Sequence, residues 1–120
     1  NHPLKQQREN SLNYRNIGLG LMGVSTALFK LGVKYGSEES KQIIDDVFSF
    51  VFKRAVSASN RLAKEKGSFP KYKECVFESN IIKKHFSPSE IRRLKEDGLR
   101  NCSLISIAPT GLNLAQIKFF

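Results

Sequence analysis

A single predicted helix, running from Ser37 to Gly67, limits what this chain can fold into. Ser37 is a favourable N-cap, and the two residues after it are acidic, which suits the positive end of the helix dipole. Gly67 can end the helix, and Pro70 prevents the chain from resuming it. At ~1.5 Å per residue the helix would be roughly 40 Å long.

The apolar residues of this helix cover more than one of its sides. One face carries residues at helical spacing: Ile44, Phe48, Val51, Ala55, Ala58 and Leu62. Others widen that face: Ile43, Val47, Phe50 and Phe52. A chain of 120 residues has difficulty covering so long an apolar helix by itself. We therefore expect self-association or dependence on a partner.

Shorter helices are predicted on both sides of the long one. An earlier helix has apolar residues at helical spacing: Leu21, Val24, Leu28 and Leu31. A later helix begins after Ser87, with Pro88 in its first position, Glu90 completing a capping box and Gly98 at its end. We also expect a short polar helix around residues 6–10 and a turn of helix around residues 77–82.

Two short strands are predicted to flank these helices. The second is the clearer one, because Leu104, Ile105 and Ile107 form a short apolar and β-prone run. The first precedes Gly18 and is interrupted by polar residues. Two strands separated by helices can pair in parallel through a right-handed crossover. The predicted fold class is mainly α with two short strands, in the order β-α-α-α-β.

The spacing Gly18-x-Gly20-x-x-Gly23 matches the glycine pattern of dinucleotide-binding folds. That pattern needs a buried strand before it and an acidic residue at the end of a second strand about 20 positions later. Here the preceding strand is poor, and Glu38 and Glu39 open a helix instead. A dinucleotide-binding fragment is therefore the weaker alternative. The favoured interpretation is structural: these glycines permit a sharp turn and a close approach of backbones.

The second predicted strand ends in a tight turn formed by Ala108, Pro109, Thr110 and Gly111. Pro109 has no N–H group to donate, and Gly111 can adopt positive φ. Such a turn leaves backbone N–H groups and the Thr110 hydroxyl free, and this arrangement suits an anion such as phosphate. The alternative is an ordinary exit from a strand into a loop.

The basic charge does not identify a nucleic-acid-binding surface. The net charge is +9, from 20 Lys and Arg against 11 Asp and Glu, but the basic residues are scattered, with no run longer than two. We expect solvated helix faces and no specific nucleic-acid partner. No apolar run approaches the ~20 residues that span a bilayer, so no membrane association is expected.

The cysteines and histidines indicate neither a metal site nor a nucleophile. Cys75 and Cys102 are too few for a disulfide framework, and neither His2 nor His85 stands at ligand spacing to them. We interpret both cysteines as small, semi-buried thiols in a reducing compartment, the cytoplasm. No catalytic residue and no metal ligand is assigned.

Three stretches in this order resemble the catalytic large chain of ribonucleotide reductases, especially the adenosylcobalamin-dependent class. The stretches are residues 15–23 (RNIGLGLMG), 62–70 (LAKEKGSFP) and 98–111 (GLRNCSLISIAPTG). The resemblance covers nearly the whole chain. It implies that the predicted elements form a slice of a ten-stranded α/β barrel. It also implies that residues 108–111 hold the phosphates of a nucleotide substrate.

The resemblance also indicates what this chain lacks. The family reduces ribonucleotides, and so supplies deoxyribonucleotides for DNA replication, through a radical on a loop cysteine and an electron-donating cysteine pair. Neither Cys75 nor Cys102 falls in such a motif, so we expect no reduction by this chain alone. Adenosylcobalamin is implied for the full-length family, and we expect this chain to bind no cofactor itself.

We divide the chain into three segments of one partial domain, residues 1–120. These are a polar lead-in (1–14), a barrel-like segment (15–111) and a divergent tail (112–120). In the tail Leu112-Asn113-Leu114 replaces the Thr-Ile-Ser of the family, which removes a hydroxyl near the phosphate. The expected partner is the rest of a reductase chain or a second copy. The functional alternative is a non-catalytic helical interaction module.

Overall fold

The computed structural model describes residues 2–107, and these residues are mainly helical. Within this range lie five α-helices and one 3-10 helix: α1 (Lys5–Tyr14), α2 (Val24–Lys30), α3 (Glu38–Lys66), the 3-10 helix (Glu74–Glu78), α4 (Asn80–His85) and α5 (Pro88–Asp97). The predicted mainly helical class is confirmed. No helix among these residues is both long and apolar enough to cross a bilayer.

The long predicted helix is confirmed as α3, and its ends are stabilised as the sequence indicates. The Ser37 hydroxyl accepts a hydrogen bond from the backbone N–H of Ser40 at 3.2 Å. At the other end Gly67 has φ 77° and stops the helix. Arg100 adds a cap that the sequence did not predict. Its Nη1 donates to the carbonyls of Lys66 at 2.8 Å and Gly67 at 2.9 Å, where helical carbonyls lack internal partners.

The capping box of α5 is also confirmed. The Ser87 hydroxyl accepts from the Glu90 N–H at 3.3 Å, and the Glu90 Oε2 accepts from the Ser87 N–H at 2.7 Å. The hydroxyl and N–H of Ser87 together lower the pKa of the Glu90 carboxyl below its usual range. Gly98, with φ 72°, ends the helix.

The two predicted strands are not formed among residues 2–107. Only an isolated parallel bridge between Leu19 and Ile105 stands in their place. Leu19 N–H donates to the Leu104 carbonyl at 2.9 Å, and Ile17 N–H donates to the Ser103 carbonyl at 3.0 Å. A regular parallel ladder would use carbonyls two residues apart, so the one-residue spacing here breaks the register. This irregularity prevents a continuous pair of strands.

The core lies between the second half of α3 and the helices that follow it. It contains the buried residues Val56, Phe69, Phe77, Ile82, Phe86, Leu94, Leu99 and Leu104. Phe77 is completely buried. Tyr72 packs edge-on against Phe69 and Phe77, with ring centroids 5.6 and 6.4 Å apart. Burial, with the nearby Glu74 carboxylate, raises the pKa of the Tyr72 phenol, so the group stays neutral at pH 7.

The first third of the described chain is open by comparison. Leu28 is the only buried apolar residue between positions 2 and 36, whereas Met22, Phe29 and Tyr35 have 69, 83 and 70% of their surface exposed. The radius of gyration is 17.3 Å, against roughly 13–14 Å for a compact domain of this length. The fold is therefore less compact than such a domain, and its extents of 44 × 42 × 21 Å show a flat shape.

Candidate functional site

The predicted phosphate-binding residues Ala108, Pro109, Thr110 and Gly111 lie outside the described residues. The segment that leads to them, residues 101–107, is described, and we call it the exit segment. We call residues 17–20 the glycine segment. Their contact determines where the chain enters the predicted turn.

The glycine segment packs directly against Ser106 of the exit segment. A Cβ atom on Gly18 would lie 3.0 Å from the Ser106 Cβ, and a Cβ on Gly20 would lie 2.8 Å from the Ser106 carbonyl oxygen. Ser106 N–H also donates to the Leu19 carbonyl at 3.1 Å. At Gly20 the added carbon would meet backbone, so only glycine permits this approach, whereas at Gly18 it would crowd a side-chain carbon. The structural interpretation of Gly18 and Gly20 is thereby supported.

The third glycine of the pattern has a different role. Gly23 precedes α2 and has φ 77°, a left-handed conformation that favours glycine. Before the pattern the chain leaves α1 at Tyr14, so the buried strand required by a dinucleotide fold is missing from residues 2–20. Glu38 and Glu39 open α3, as the sequence predicted. The geometry therefore does not favour dinucleotide binding.

Asn101 anchors the start of the exit segment. Its Nδ2 donates to the Arg15 carbonyl at 2.8 Å, and its backbone N–H donates to the Ser59 hydroxyl at 3.1 Å. That hydroxyl in turn donates to the Asn101 Oδ1 at 3.1 Å. Asn101 and Ser59 are both buried. One side chain therefore ties α3, the end of α1 and the exit segment together.

Sequence reasoning missed this arrangement, because Ser59 and Asn101 are 42 residues apart. The available signal was a polar residue on the apolar side of a long helix. The neighbouring Asn60 makes a separate link between α3 and the end of α5: its Nδ2 donates to the carbonyls of Leu94 at 2.9 Å and Gly98 at 2.7 Å. Arg15, whose carbonyl accepts the hydrogen bond from the Asn101 Nδ2, has φ 49°, which is unusual for a residue with a side chain.

An apolar groove of about 530 Å³ opens beside the exit segment. Its walls come from α3, the region around α4 and the exit segment, and include Phe48, Phe52, Val76, Ile81, Ile82, Cys102, Leu104, Ile105 and Ile107. Asp45 supplies a carboxylate at the rim, 3.2 Å from the Lys84 ammonium. The His85 ring also lines the groove and packs on Phe52 with 5.3 Å between ring centroids.

The described residues hold no cluster of side chains suited to a metal ion. No group of three or more His, Cys, Asp or Glu side chains gathers anywhere in residues 2–107. Cys75 and Cys102 are both free thiols, but both are exposed, so the expectation that they are semi-buried was wrong. The groove has an apolar lining and the size of a small-ligand pocket. These features do not fit a corrinoid with its nucleotide arm.

Comparison with known proteins gives one consistent family. The model of the ribonucleotide reductase barrel domain matches residues 1–117. The ribonucleoside-diphosphate reductase subunit alpha of Chlamydia muridarum is 32% identical over 133 aligned residues, which cover 91% of this chain and 12% of that protein.

Two vitamin B12-dependent ribonucleoside-diphosphate reductases are similarly related. The protein of Thermoplasma acidophilum is 34% identical across 91% of this chain, and that of Mycobacterium tuberculosis is 33% identical across 92%. The chain spans only 12 and 14% of the length of these two relatives. Because the family match extends over almost every residue, the chain belongs to the ribonucleotide reductase barrel-domain family.

Proposed function

We propose that this chain is a piece of the catalytic barrel of a ribonucleotide reductase and that its residues 108–111 bind the phosphate of a nucleotide substrate. The observation that carries the proposal is the contact of Gly18 and Gly20 with Ser106. This contact fixes the backbone two residues before Ala108. A phosphate-binding turn needs a rigid base, because its N–H donors act only when their directions are fixed.

The proposed donors are the free backbone N–H groups of the turn and the Thr110 hydroxyl. Pro109 contributes no donor, but it restricts the backbone on which the other donors stand. A charge-assisted hydrogen bond contributes about 1.5–3 kcal/mol, and lost translational freedom offsets most of the sum from two or three such bonds. We therefore expect a dissociation constant for phosphate on the order of millimolar.

The proposal assigns no turnover to this chain by itself. The radical cysteine and the cysteine pair of the resembled family have no counterpart in its sequence, and neither Cys75 nor Cys102 receives a role in the reaction. We assign the reduction step to the proposed full assembly. The same holds for the adenosylcobalamin suggested by the names of two relatives and for a cytoplasmic setting.

NMR titration of the Thr110 and Gly111 amides with inorganic phosphate tests the proposal. We expect both amides to shift, Thr110→Val to weaken binding, and Leu112→Thr to tighten it by restoring a hydroxyl. Ser103→Ala, which removes a hydroxyl from the exit segment before the turn, is the matched control and should leave binding unchanged. If neither amide shifts, or if all variants bind alike, the turn has no phosphate-binding role.

The exposed apolar residues are also compatible with a second candidate, a non-catalytic helical module that associates with another protein. Met22, Phe29 and Tyr35 would serve either function. Co-expression with a polypeptide that carries the missing radical cysteine separates the two. Ribonucleotide reduction by the pair, absent with either chain alone, supports the barrel piece. Stable association without turnover supports the interaction module.

A further inference from the structure

One side of α3 stays at the surface along most of the helix. We call it the outer face. Its residues recur at helical spacing, so they lie on the side of the helix opposite the buried Val56 and Ser59. Six of them carry the argument, and all six are exposed: Glu39, Asp46, Phe50, Arg54, Ser57 and Arg61.

The outer face has acidic residues at one end, basic residues at the other and an aromatic ring between them. Asp46 and Arg54 each lie four residues from Phe50. Glu39 and Arg61 each lie 11 residues from it. The two signs of charge are therefore placed symmetrically about Phe50. Such a face is complementary to a second identical face that runs in the opposite direction.

The charges of the outer face are not used within the described part of the chain. The ion pairs formed among residues 2–107 include none of its charged residues. Asp46 accepts a hydrogen bond from the Gln42 side chain at 3.0 Å. The Arg54 guanidinium lies over the Phe50 ring, 5.3 Å from its centroid, yet Phe50 keeps 61% of its surface exposed. Carboxylates, guanidinium groups and apolar area thus face outwards together.

We propose that two copies of this chain associate through their outer faces, with the two α3 helices antiparallel and Phe50 at the two-fold axis. Asp46 of each copy then lies opposite Arg54 of the other copy. Glu39 in the same way lies opposite Arg61. Because the axis repeats every contact, the two kinds of pair give four ion pairs. Arginine and carboxylate can form two parallel hydrogen bonds, which favours this register over shifted ones.

A second copy fits the outer face better than a polyanion or an apolar segment does. A polyanion would meet the carboxylates of Glu39 and Asp46, and an apolar segment would bury charged side chains without partners. Exposed ion pairs each contribute little, so we expect a weak, reversible dimer. The inference goes beyond the proposed function and depends on neither the turn nor phosphate.

Charge exchange in the full chain tests the pairing. Asp46→Arg and Arg54→Asp each place like charges opposite one another twice, so each should weaken self-association at least ~10-fold in sedimentation equilibrium. The double variant restores opposite charges across the axis and should recover the affinity to within ~3-fold. The two positions lie ~12 Å apart along one helix, so recovery cannot come from a contact within one chain.

Lys34→Asp is the control, because Lys34 is exposed and precedes α3. It should change the affinity less than ~3-fold, since it reverses a charge away from the outer face. Equal weakening by this control, or no recovery in the double variant, overturns the proposal. A parent chain that stays monomeric at every concentration reached also overturns it.

Cysteine cross-linking tests the antiparallel direction. In a background of Cys75→Ser and Cys102→Ser, Phe50→Cys places two thiols at the axis, whereas Ser57→Cys places them ~21 Å apart along the helices. With oxidised glutathione as oxidant, we expect at least ~10-fold more disulfide-linked dimer from Phe50→Cys than from Ser57→Cys. Equal yields, or a higher yield from Ser57→Cys, overturn the antiparallel dimer. Circular dichroism checks that both variants keep the helix content of the parent.

Discussion

Two regions of this molecule contrast sharply, although the sequence predicts helices in both. In residues 52–104, which we call the closed part, α3 packs against α4 and α5 around a buried aromatic and aliphatic core. In residues 2–36, the open part, Leu28 is the only buried apolar residue. The difference shows that apolar periodicity locates helices. It does not show whether other residues of this chain cover the apolar faces of those helices.

The proposed function would explain the contrast. A piece of a barrel would meet neighbouring barrel elements along its edges, and some of its apolar faces would find their partners only there. The closed part buries its apolar side chains against one another, whereas the open part exposes Met22, Phe29 and Tyr35 to solvent. We therefore expect the two parts to respond differently to the same kind of substitution.

The largest expected difference comes from aromatic truncation. Phe77→Ala should lower the free energy of unfolding by about 3–5 kcal/mol, because Phe77 is completely buried and its removal leaves a cavity. Phe29→Ala, at 83% exposure, should change it by less than about 0.5 kcal/mol. Urea denaturation followed by circular dichroism measures both. Comparable losses would mean that the open part also has a closed core in solution.

Local signals could be predicted from the sequence, and non-local ones could not. Ser37, Gly67 and the capping box of Ser87 and Glu90 act within one helical turn, so their residue types were sufficient. The strands were wrong, because the shifted carbonyls of Ser103 and Leu104 depend on how two distant segments meet. For the candidate site the sequence identified the glycines, but their partner Ser106 became visible only in three dimensions.

The next effect concerns the link between the two parts. Asn101→Ala should cost about 2 kcal/mol, because it removes the hydrogen bonds of the side chain to Ser59 and Arg15 and leaves buried polar atoms without partners. Hydrogen exchange should accelerate most at the Ile17 and Leu19 amides, which donate hydrogen bonds to carbonyls of the exit segment. Exchange that rises uniformly over the whole chain would contradict a linking role.

Asn10→Ala is the control for this substitution. Asn10 lies in α1 and is exposed, so its replacement should leave both the free energy of unfolding and the exchange of Ile17 and Leu19 nearly unchanged.

A smaller effect comes from adding a methyl group to the glycine segment. Gly18→Ala and Gly20→Ala should each cost roughly 1–2 kcal/mol, because each new Cβ would crowd Ser106. The two differ in the atom that they meet. Gly18→Ala meets the Ser106 Cβ, whereas Gly20→Ala meets the Ser106 backbone oxygen.

Ser106→Gly therefore distinguishes the two variants. It should rescue Gly18→Ala by removing the crowded Cβ and should not rescue Gly20→Ala. Double-mutant cycles in urea measure the two coupling energies. Rescue of both variants, or of neither, would show that the glycine segment does not approach Ser106 as described.

The smallest effect is electrostatic. Glu78 bridges two helices of the closed part, 3.0 Å from the Lys83 ammonium and 2.9 Å from that of Lys95. The hydrogen bond from Lys95, followed by that from Lys83, lowers the pKa of the Glu78 carboxyl. A lowered folded-state pKa means that this stabilisation is present above the unfolded pKa, near 4.5, and is lost as the pH falls through the folded value.

Glu78→Gln should consequently reduce the urea midpoint slightly at pH 7 and have no effect at pH 2. The effect should shrink in 1 M NaCl, which reduces the Debye length to about 3 Å and screens an exposed pair. Glu9→Gln in the open part is the matched comparison, since Glu9 lies 4.0 Å from Lys5 within the single helix α1. Its effect should be smaller still, because that pair links no separate elements. An effect of Glu78→Gln that persists at pH 2 would arise from packing and would rule out the ion pair as its cause.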